Sequence, residues 1–353
     1  MIRVAINGYG RIGRVVHRVI LQKFSSDIEV VAINAGTSTD LQGWAYLLKY
    51  DSNYGILNGH TISVQAEPKP QEGEKPGDRL GVLTVDGKEI QVFSQKDPTL
   101  LPWGDLGVDV VVESTGHFLT TEKARAHLQA GAKRVVMSAP SKDDTATYVM
   151  SINDSQYGNE DVVSNASCTT NCITPVAKVI EETFGVEKAM MTTIHAYTSD
   201  QELQDGGHKD YRRARAAGKS IVPTSTGATI AAAKALPALS GIFNGLSLRV
   251  PVSVGSLSDF TFLLKRETTK EEVNEALKKA AESETFKGIL AVTTDPIVSS
   301  DIVGDSHSSI VDLSLTQVVG GNMVKVIAWY DNEWGYSNRL VEEVVMVGKS
   351  AQA

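Results

Sequence analysis

Cysteine is nearly absent from this chain: among 353 residues there are two, Cys168 and Cys172, four positions apart. That excludes a disulfide scaffold and points to a reducing compartment, so a cytoplasmic location is expected. Basic charge is also short, with 34 Lys and Arg against 42 Asp and Glu and a net charge of −8. A nucleic-acid footprint, which needs a basic surface, is not expected. No apolar run approaches the roughly 20 residues that cross a bilayer, and residues 1–3 run straight into a strand-like pattern. Neither a membrane span nor a leader is expected. Cys168 and Cys172 could offer two metal ligands one helical turn apart, but no further Cys or local His cluster completes a site. Internal repeats and low-complexity tracts are lacking as well.

What is present is the composition of an ordinary globular protein, 42% hydrophobic and 22% charged, in a chain longer than one core usually fills. The first half alternates β-rich runs with helical stretches: strands at 3–7 (RVAIN), 29–34 (EVVAIN), 108–113 (VDVVVE) and 134–138 (RVVMS), and a helix at 12–24. This predicts an α/β fold, a parallel sheet covered by helices. Residues 67–78 (EPKPQEGEKPGD) read as an exposed loop. Beyond Cys172 strands cluster at 189–194, 247–252, 259–264 and 324–329 around a helical stretch at 270–283. That predicts a second, α+β domain with a mostly antiparallel sheet. The expected division is a first domain over 1–167, joined by a C-terminal helix at about 335–350, and a second over 168–334.

Gly8, Gly10 and Gly13 lie in NGYGRIG, directly after a strand and ahead of a helix. Glycines so placed allow a tight turn and close approach of backbone to a pyrophosphate at a helix N-terminus, the start of a Rossmann dinucleotide site. The second half of that fingerprint, an acid about 20 residues on that holds a ribose 2′-OH, is missing. The second strand ends in Asn34, followed by Ala35, Gly36, Thr37 and Ser38. Lacking a carboxylate, this position admits a 2′-phosphate, for which Thr37 and Ser38 offer hydroxyls; a relaxed NAD site that has lost one hydrogen bond is the alternative.

Cys168 lies in SNASCTTNC at the expected start of a helix, where the dipole stabilises a thiolate. His195 ends the strand-like AMMTTI and could take the thiol proton if the fold brings the two together. Beside a nicotinamide, such a pair suggests that the thiolate attacks an aldehyde, the hemithioacetal gives up hydride, and a thioester awaits a second nucleophile. Each piece also has a plainer reading, Cys168 as a small buried residue and His195 as a structural one.

NGYGRIGR, SNASCTTNC, HAYTSDQ, HKDYRRARAA, IVPTSTGA, LSLRVP and WYDNEWGYSNR, running from residue 7 to residue 339, resemble the glyceraldehyde-3-phosphate dehydrogenase family. The resemblance implies an N-terminal Rossmann domain, a C-terminal catalytic domain, a homotetramer, NAD(P), and glyceraldehyde 3-phosphate and inorganic phosphate as reactants. It implies Cys168 as nucleophile and His195 as its base. Arg11 and Ile12 would meet the pyrophosphate, Lys96 would keep a cation near the adenine, and Ser138, Asn332 and Tyr336 would line the nicotinamide side. Thr198, Asp200 and Arg249 would form the pocket for the substrate phosphate. Ser167, Thr169, Arg213, Thr226 and Gly227 would form that for inorganic phosphate, with Arg212 and Arg215 as rivals to Arg213.

Two departures bear on the cofactor. Ala35 stands where many NAD-specific members have Asp, and Gly206-Gly207 where many have Leu-Pro in a loop that reaches a neighbouring subunit's ribose. Both moves favour NADP. An erythrose-4-phosphate dehydrogenase usually departs at the positions of Thr198, Thr226 and Gly227, which this chain keeps. A non-enzymatic, thiol-based redox sensor would explain a reactive Cys168 but not the phosphate-site residues.

Overall fold

Residues 1–67 and 78–352 are described by the computed structural model; the loop expected over 67–78 falls, for 68–77, outside the described residues. By contacts the chain divides into one unit of Met1–Thr147, Tyr157–Asn165 and Leu340–Ala353 and another of Tyr148–Gln156 and Ala166–Arg339.

In the first unit the apolar run Ile2–Asn7 is buried on both faces, as a central parallel strand requires. It pairs in parallel with Ile28–Asn34 on one side and with Val110–Glu113 on the other. Arg134–Met137 and Val162–Ser164 extend the parallel sheet beyond Val110–Glu113, and Lys88–Phe93 extends it beyond Ile28–Asn34. Arg79–Val85 and Ile62–Ala66 finish that edge antiparallel. The strand order reverses direction between Ile2–Asn7 and Val110–Glu113, and in such sheets a ligand sits at the strand C-termini of this switch point. The helix expected at 12–24 is α-helical over Arg11–Val19 and widens into a π-type turn over Ile20–Phe24. From Leu340 the helix Trp334–Gln352 packs in this unit, with Gly348 so near Ile2 that a Cβ would lie 2.5 Å from its side chain.

The second unit is built on a mixed sheet in the order Val222–Thr224, Phe243–Val250, Val186–Ala196, Ser256–Leu264, Met323–Tyr330, Ser309–Asp312, Leu290–Thr293. Its pairings are antiparallel except Val186–Ala196 with Phe243–Val250 and Leu290–Thr293 with Ser309–Asp312. Period-two alternation sets the faces. In Ser256–Leu264 the residues Ser256, Ser258, Phe260, Phe262 and Leu264 are buried, with half-buried residues between them. The buried face carries the core formed with helix Cys168–Phe184, around Ile173, Val176, Ile180, Phe260, Phe262 and Val326. The sequence expectation of 189–194 stopped short because Glu187-Lys188 interrupts the apolar run; backbone pairing carries the strand through to Val186 and on to Ala196.

Candidate active site

In the first unit the glycines of NGYGRIG have separate reasons to be glycine. Gly8 has φ = 94°, and a Cβ there would lie 2.7 Å from the backbone of Ser114 and Thr115. At Gly13 a Cβ would come within 2.2 Å of the Gly8 carbonyl oxygen. These two are fixed by the protein's own packing. Gly10 is different: nothing lies within 4 Å of a Cβ built on it, and it caps helix Arg11–Val19 without a side-chain bond. Open space before a helix N-terminus suits an anionic group laid against the backbone, so the residues present fit a dinucleotide. Arg11 and Ile12 form the first turn, and the Arg11 guanidinium turns to the flank, in a two-point pair with Asp51 and 5.3 Å from the Tyr54 ring centroid.

The strand ends at this switch point are tied by a buried polar chain. Asn34 donates to Asn7 Oδ1 (2.7 Å) and Gln95 O (2.8 Å) and accepts from Gln95 N (2.9 Å). Asn7 donates to Glu113 Oε2 (2.5 Å), which lies 3.0 Å from His127 Nε2. The indole of Trp103 donates to His127 Nδ1 (3.1 Å), leaving the imidazole proton on Nε2, towards Glu113. Both ends of the Asn34 amide are thereby engaged, so Asn34 shapes the loop that follows. In that loop Ala35 is half-buried, Thr37 is exposed, and Ser38 Oγ accepts from Trp44 Nε1 (3.0 Å). The next acid, Asp40, is committed to capping helix Leu41–Lys49 through Gly43 N (2.8 Å). Lys96 is exposed, and Ser138, half-buried just after strand Arg134–Met137, donates its N–H to Glu113 O.

In the second unit Ser167 caps helix Cys168–Phe184, its Oγ accepting from Thr170 N (3.0 Å), and Cys168 is the first helical residue. The buried face of strand Val186–Ala196 carries His195, whose Nε2 stands 3.3 Å from Cys168 Sγ. The parallel register sets Arg249 directly beside His195. Its NH1 lies 2.7 Å from His195 Nδ1 and donates to Ala196 O at 3.2 Å. The edge of Tyr330 meets the imidazole, and its hydroxyl bonds Thr169 Oγ1 (2.9 Å) and Thr193 Oγ1 (2.7 Å).

Burial works against the thiolate stabilisation expected of a helix start. Although Cys168 keeps some surface exposure, burial of its sulfur pushes the thiol up, against the opposing pull of Arg249. Burial first, and the Arg249 charge second, push His195 down to about 3. Burial thus opposes charge on both members of the pair, while the Arg249 charge favours the thiolate and disfavours the imidazolium. Cys172 is fully buried against Ser258 and Ser309 and pushed up to about 12, which leaves it inert near neutral pH.

The anion-site residues fall into two groups. Of the three neighbouring arginines, Arg212 and Arg215 are exposed, while Arg213 is half-buried and pairs with Asp200 and Asp210 and donates to Thr224 Oγ1 (2.9 Å). Asp200, a carboxylate that would repel phosphate, thus braces an arginine. Thr198 is half-buried in the adjoining turn. Gly227 caps helix Ala228–Ala235, and Thr226 Oγ1 accepts from Ala228 N (3.2 Å). Thr170 Oγ1 donates to Ala228 O (3.4 Å), which brings the starts of helices Cys168–Phe184 and Ala228–Ala235 together. Asn332 is buried, and its Oδ1 accepts from Gly255 N (3.1 Å) and Ser256 Oγ (2.9 Å). Tyr336 is buried and donates to Ala166 O (3.2 Å).

Sequence reasoning missed Tyr330, Thr224, Ser114 and Thr115. Tyr330 was discoverable as an inward position at the end of strand Met323–Tyr330, and Ser114 and Thr115 as the residues after a strand at the switch point. Among the described residues no group of three or more His, Cys, Asp or Glu could hold a metal ion, and no helix is long and apolar enough to cross a membrane.

Residues 2–121 match the family model described as glyceraldehyde 3-phosphate dehydrogenase, NAD binding domain, and residues 167–332 match the one described as glyceraldehyde 3-phosphate dehydrogenase, C-terminal domain. The chain is 51% identical over 349 residues to the glyceraldehyde-3-phosphate dehydrogenase of Streptomyces coelicolor, covering 98% of each. It is 51% identical to that of Mycobacterium avium over 353 residues and to that of Mycobacterium tuberculosis over 354, covering 99% of both partners each time. Matched in both halves and along almost its whole length, the chain belongs to the glyceraldehyde-3-phosphate dehydrogenase family.

Proposed function

We propose that the chain is a phosphorylating aldehyde dehydrogenase that oxidises glyceraldehyde 3-phosphate on Cys168, with NAD(P) as hydride acceptor and inorganic phosphate as the second nucleophile. The observation that carries this reading is the 3.3 Å approach of His195 Nε2 to Cys168 Sγ at a helix start. The sulfur attacks the aldehyde carbon as its proton passes to Nε2, and the carbonyl oxygen is protonated to give a hemithioacetal. When bound, NAD(P) supplies the acceptor for the hydride that leaves this carbon. His195 takes the hydroxyl proton, so a thioester remains. A phosphate oxygen then adds to the thioester carbonyl, and the carbon–sulfur bond breaks to return Cys168 as thiolate.

Binding roles follow from the donor sets. Gly8, Gly10 and Gly13 with the backbone of Arg11 and Ile12 would take the pyrophosphate, and Ala35, Thr37 and Lys96 the adenosine end. From the family resemblance, Ser138, Asn332 and Tyr336 keep their assignment to the nicotinamide side. Arg249 and Thr198 would hold the substrate phosphate, with Asp200 bracing Arg213. Ser167, Thr169, Thr226 and Gly227, at two joined helix starts, would hold inorganic phosphate together with Arg213. A homotetramer is part of the same reading, and the second unit exposes apolar side chains that suit it, among them Met190, Tyr211, Ile221 and Leu246. A dinucleotide domain over 1–167, a catalytic domain over 168–334 and a cytoplasmic setting complete the assignment.

Cys168→Ala should lower phosphate-dependent aldehyde oxidation by about four orders of magnitude while cofactor binding persists. Retained turnover in that variant overturns the thioester mechanism. For the cofactor, Ala35 in place of a carboxylate and Asp40 withdrawn into a cap support use of NADP at least as good as that of NAD. A charged hydrogen bond is worth about 1.5–3 kcal/mol, roughly ten- to hundredfold, so Ala35→Asp should move the ratio of kcat/KM values by that factor towards NAD. A more than tenfold preference for NAD in the unaltered enzyme would count against this assignment.

A further inference from the structure

We infer that Glu113 is a buried carboxylate without a counter-cation, and that its charge makes the dinucleotide site prefer the oxidised over the reduced nicotinamide. The inference rests on the reading of the first unit as the NAD(P) site and adds a residue that sets its preference between redox states.

Glu113 ends strand Val110–Glu113 at the switch point and is buried. Its carboxyl group is filled by donors. Oε1 accepts from Thr115 N (2.8 Å) and from the Thr115 hydroxyl, which itself accepts from His117 N (3.1 Å). Oε2 accepts from Asn7 Nδ2 (2.5 Å) and lies 3.0 Å from His127 Nε2. The backbone of Gln95 orients the Asn34 amide, and Asn34 in turn binds Asn7 Oδ1, so Asn7 has its N–H groups left for Glu113. A carboxylate has about four lone-pair sites, and a proton on Glu113 would be set against one of these donors. The group is therefore ionised.

A buried charge is ordinarily met by an opposite one. Among the described residues the one titratable partner of Glu113 is His127, also buried, with the Phe118 ring edge-on to it at 5.9 Å. Trp103 decides the state of that imidazole. An indole nitrogen donates and does not accept, so His127 Nδ1, 3.1 Å from Trp103 Nε1, must present a lone pair. The ring keeps one proton, on Nε2, and is neutral. Glu113 is thus solvated by dipoles while its full charge stands.

Its position gives that charge a direction of action. Glu113 is in register with Asn7 on one side and with Met137 on the other. Past Asn7 the chain enters the glycine loop, where a Cβ on Gly8 would lie 2.7 Å from Ser114 C and Thr115 N. Past Met137 comes Ser138, whose N–H donates to Glu113 O (2.9 Å) and which is assigned to the nicotinamide side. The carboxylate repels a pyrophosphate equally in both redox states. A nicotinamide ring is cationic when oxidised and neutral when reduced, so only the oxidised ring gains from the negative charge. A unit charge felt through roughly 10 Å of protein changes an equilibrium on the order of tenfold. The site would hold the hydride acceptor more tightly and let the reduced product go.

The test titrates full-length protein calorimetrically, without substrate, with the oxidised and the reduced forms of NAD and of NADP. Glu113→Gln should raise the ratio of the Kd of the oxidised form to that of the reduced form about tenfold. Glu113→Asp, which keeps the charge on a shorter stem, should leave the ratio within about twofold even where both affinities fall. A purely structural role would weaken both forms alike, so an unchanged ratio in Glu113→Gln overturns the inference. An amide there sets N–H groups against donors, and against failure of that variant to fold stands neutron diffraction from crystals of the deuterated wild-type protein. His127 should carry a deuteron on Nε2 alone and Glu113 none; a deuteron on His127 Nδ1 or on the Glu113 carboxyl overturns the inference. Wild-type protein that binds neither redox form of either dinucleotide overturns the cofactor reading as well, whereas binding of both with an unshifted ratio removes this inference alone.

Discussion

Helices Arg11–Val19 and Cys168–Phe184 each open on a functional N-terminus, and they are built in opposite ways. The first is capped by Gly10, which brings no side chain, and its approach is held by backbone packing of Gly8 and Gly13. The second is capped by Ser167, whose hydroxyl and carbonyl engage Thr170 N and the Asn171 side chain. One helix start leaves room for something else's charge; the other spends its cap on holding a reactive atom of its own. The same contrast runs through two of the buried histidines. His17 meets Tyr9 OH at 2.6 Å through Nδ1, and its Nε2 has no hydrogen-bond partner, whereas His195 turns its Nε2 to a sulfur. Burial pushes both down to about 3. A depressed histidine therefore does not by itself mark chemistry; what its second nitrogen faces does.

The sharpest way to break this contrast is at the glycines. Gly13→Ala drives a Cβ into the Gly8 carbonyl and should cost about 3 kcal/mol of stability with loss of cofactor binding, read from urea midpoints and cofactor titration. Gly10→Ala meets no protein atom, so stability should stay within about 0.5 kcal/mol while cofactor affinity falls. Equal destabilisation by both would show that Gly10 is structural too. Next comes acid. The unfolded chain protonates each histidine near 6.5, and the folded chain protonates His17 and His195 only near 3. The unfolded state thus binds more protons below pH 6.5, and stability should fall on acidification, by up to about 1.4 kcal/mol per pH unit for each histidine. His17→Gln should flatten that slope between pH 6.5 and 4.5; an unchanged slope would mean that His17 titrates normally. A more modest loss than that of Gly13→Ala belongs to Ser167→Ala, which should cost about 1 kcal/mol through loss of the cap. A neutral result there would place the stability of this helix start in its packing alone.

The dinucleotide loop was legible because its signal is local: three glycines between a strand and a helix. So was the placement of Cys168, since Ser167 and the helical run after it define a cap within five residues. The adjacency of His195 and Arg249 was not. It depends on the register of two parallel strands, and their partners lie 54 residues apart along the chain. Nor could the protonation state of Cys168 be read, because helix-terminus logic needs no tertiary structure while desolvation is made by it. Asp200 shows the same limit in charge. The family resemblance sets it beside a phosphate, while its ion pair with Arg213 depends on a tertiary contact that no local pattern carries.

The buried chain from Asn34 through Asn7, Glu113 and His127 to Trp103 has a consequence for how this region can change. Each member satisfies its neighbour, so a single apolar replacement strands a donor or an acceptor away from water, at about 1–3 kcal/mol for each orphan. Substitutions here are tolerable as matched sets and damaging one at a time. The strand ends beneath the dinucleotide loop therefore form a single heritable block, one that a lineage can exchange whole but can hardly edit letter by letter.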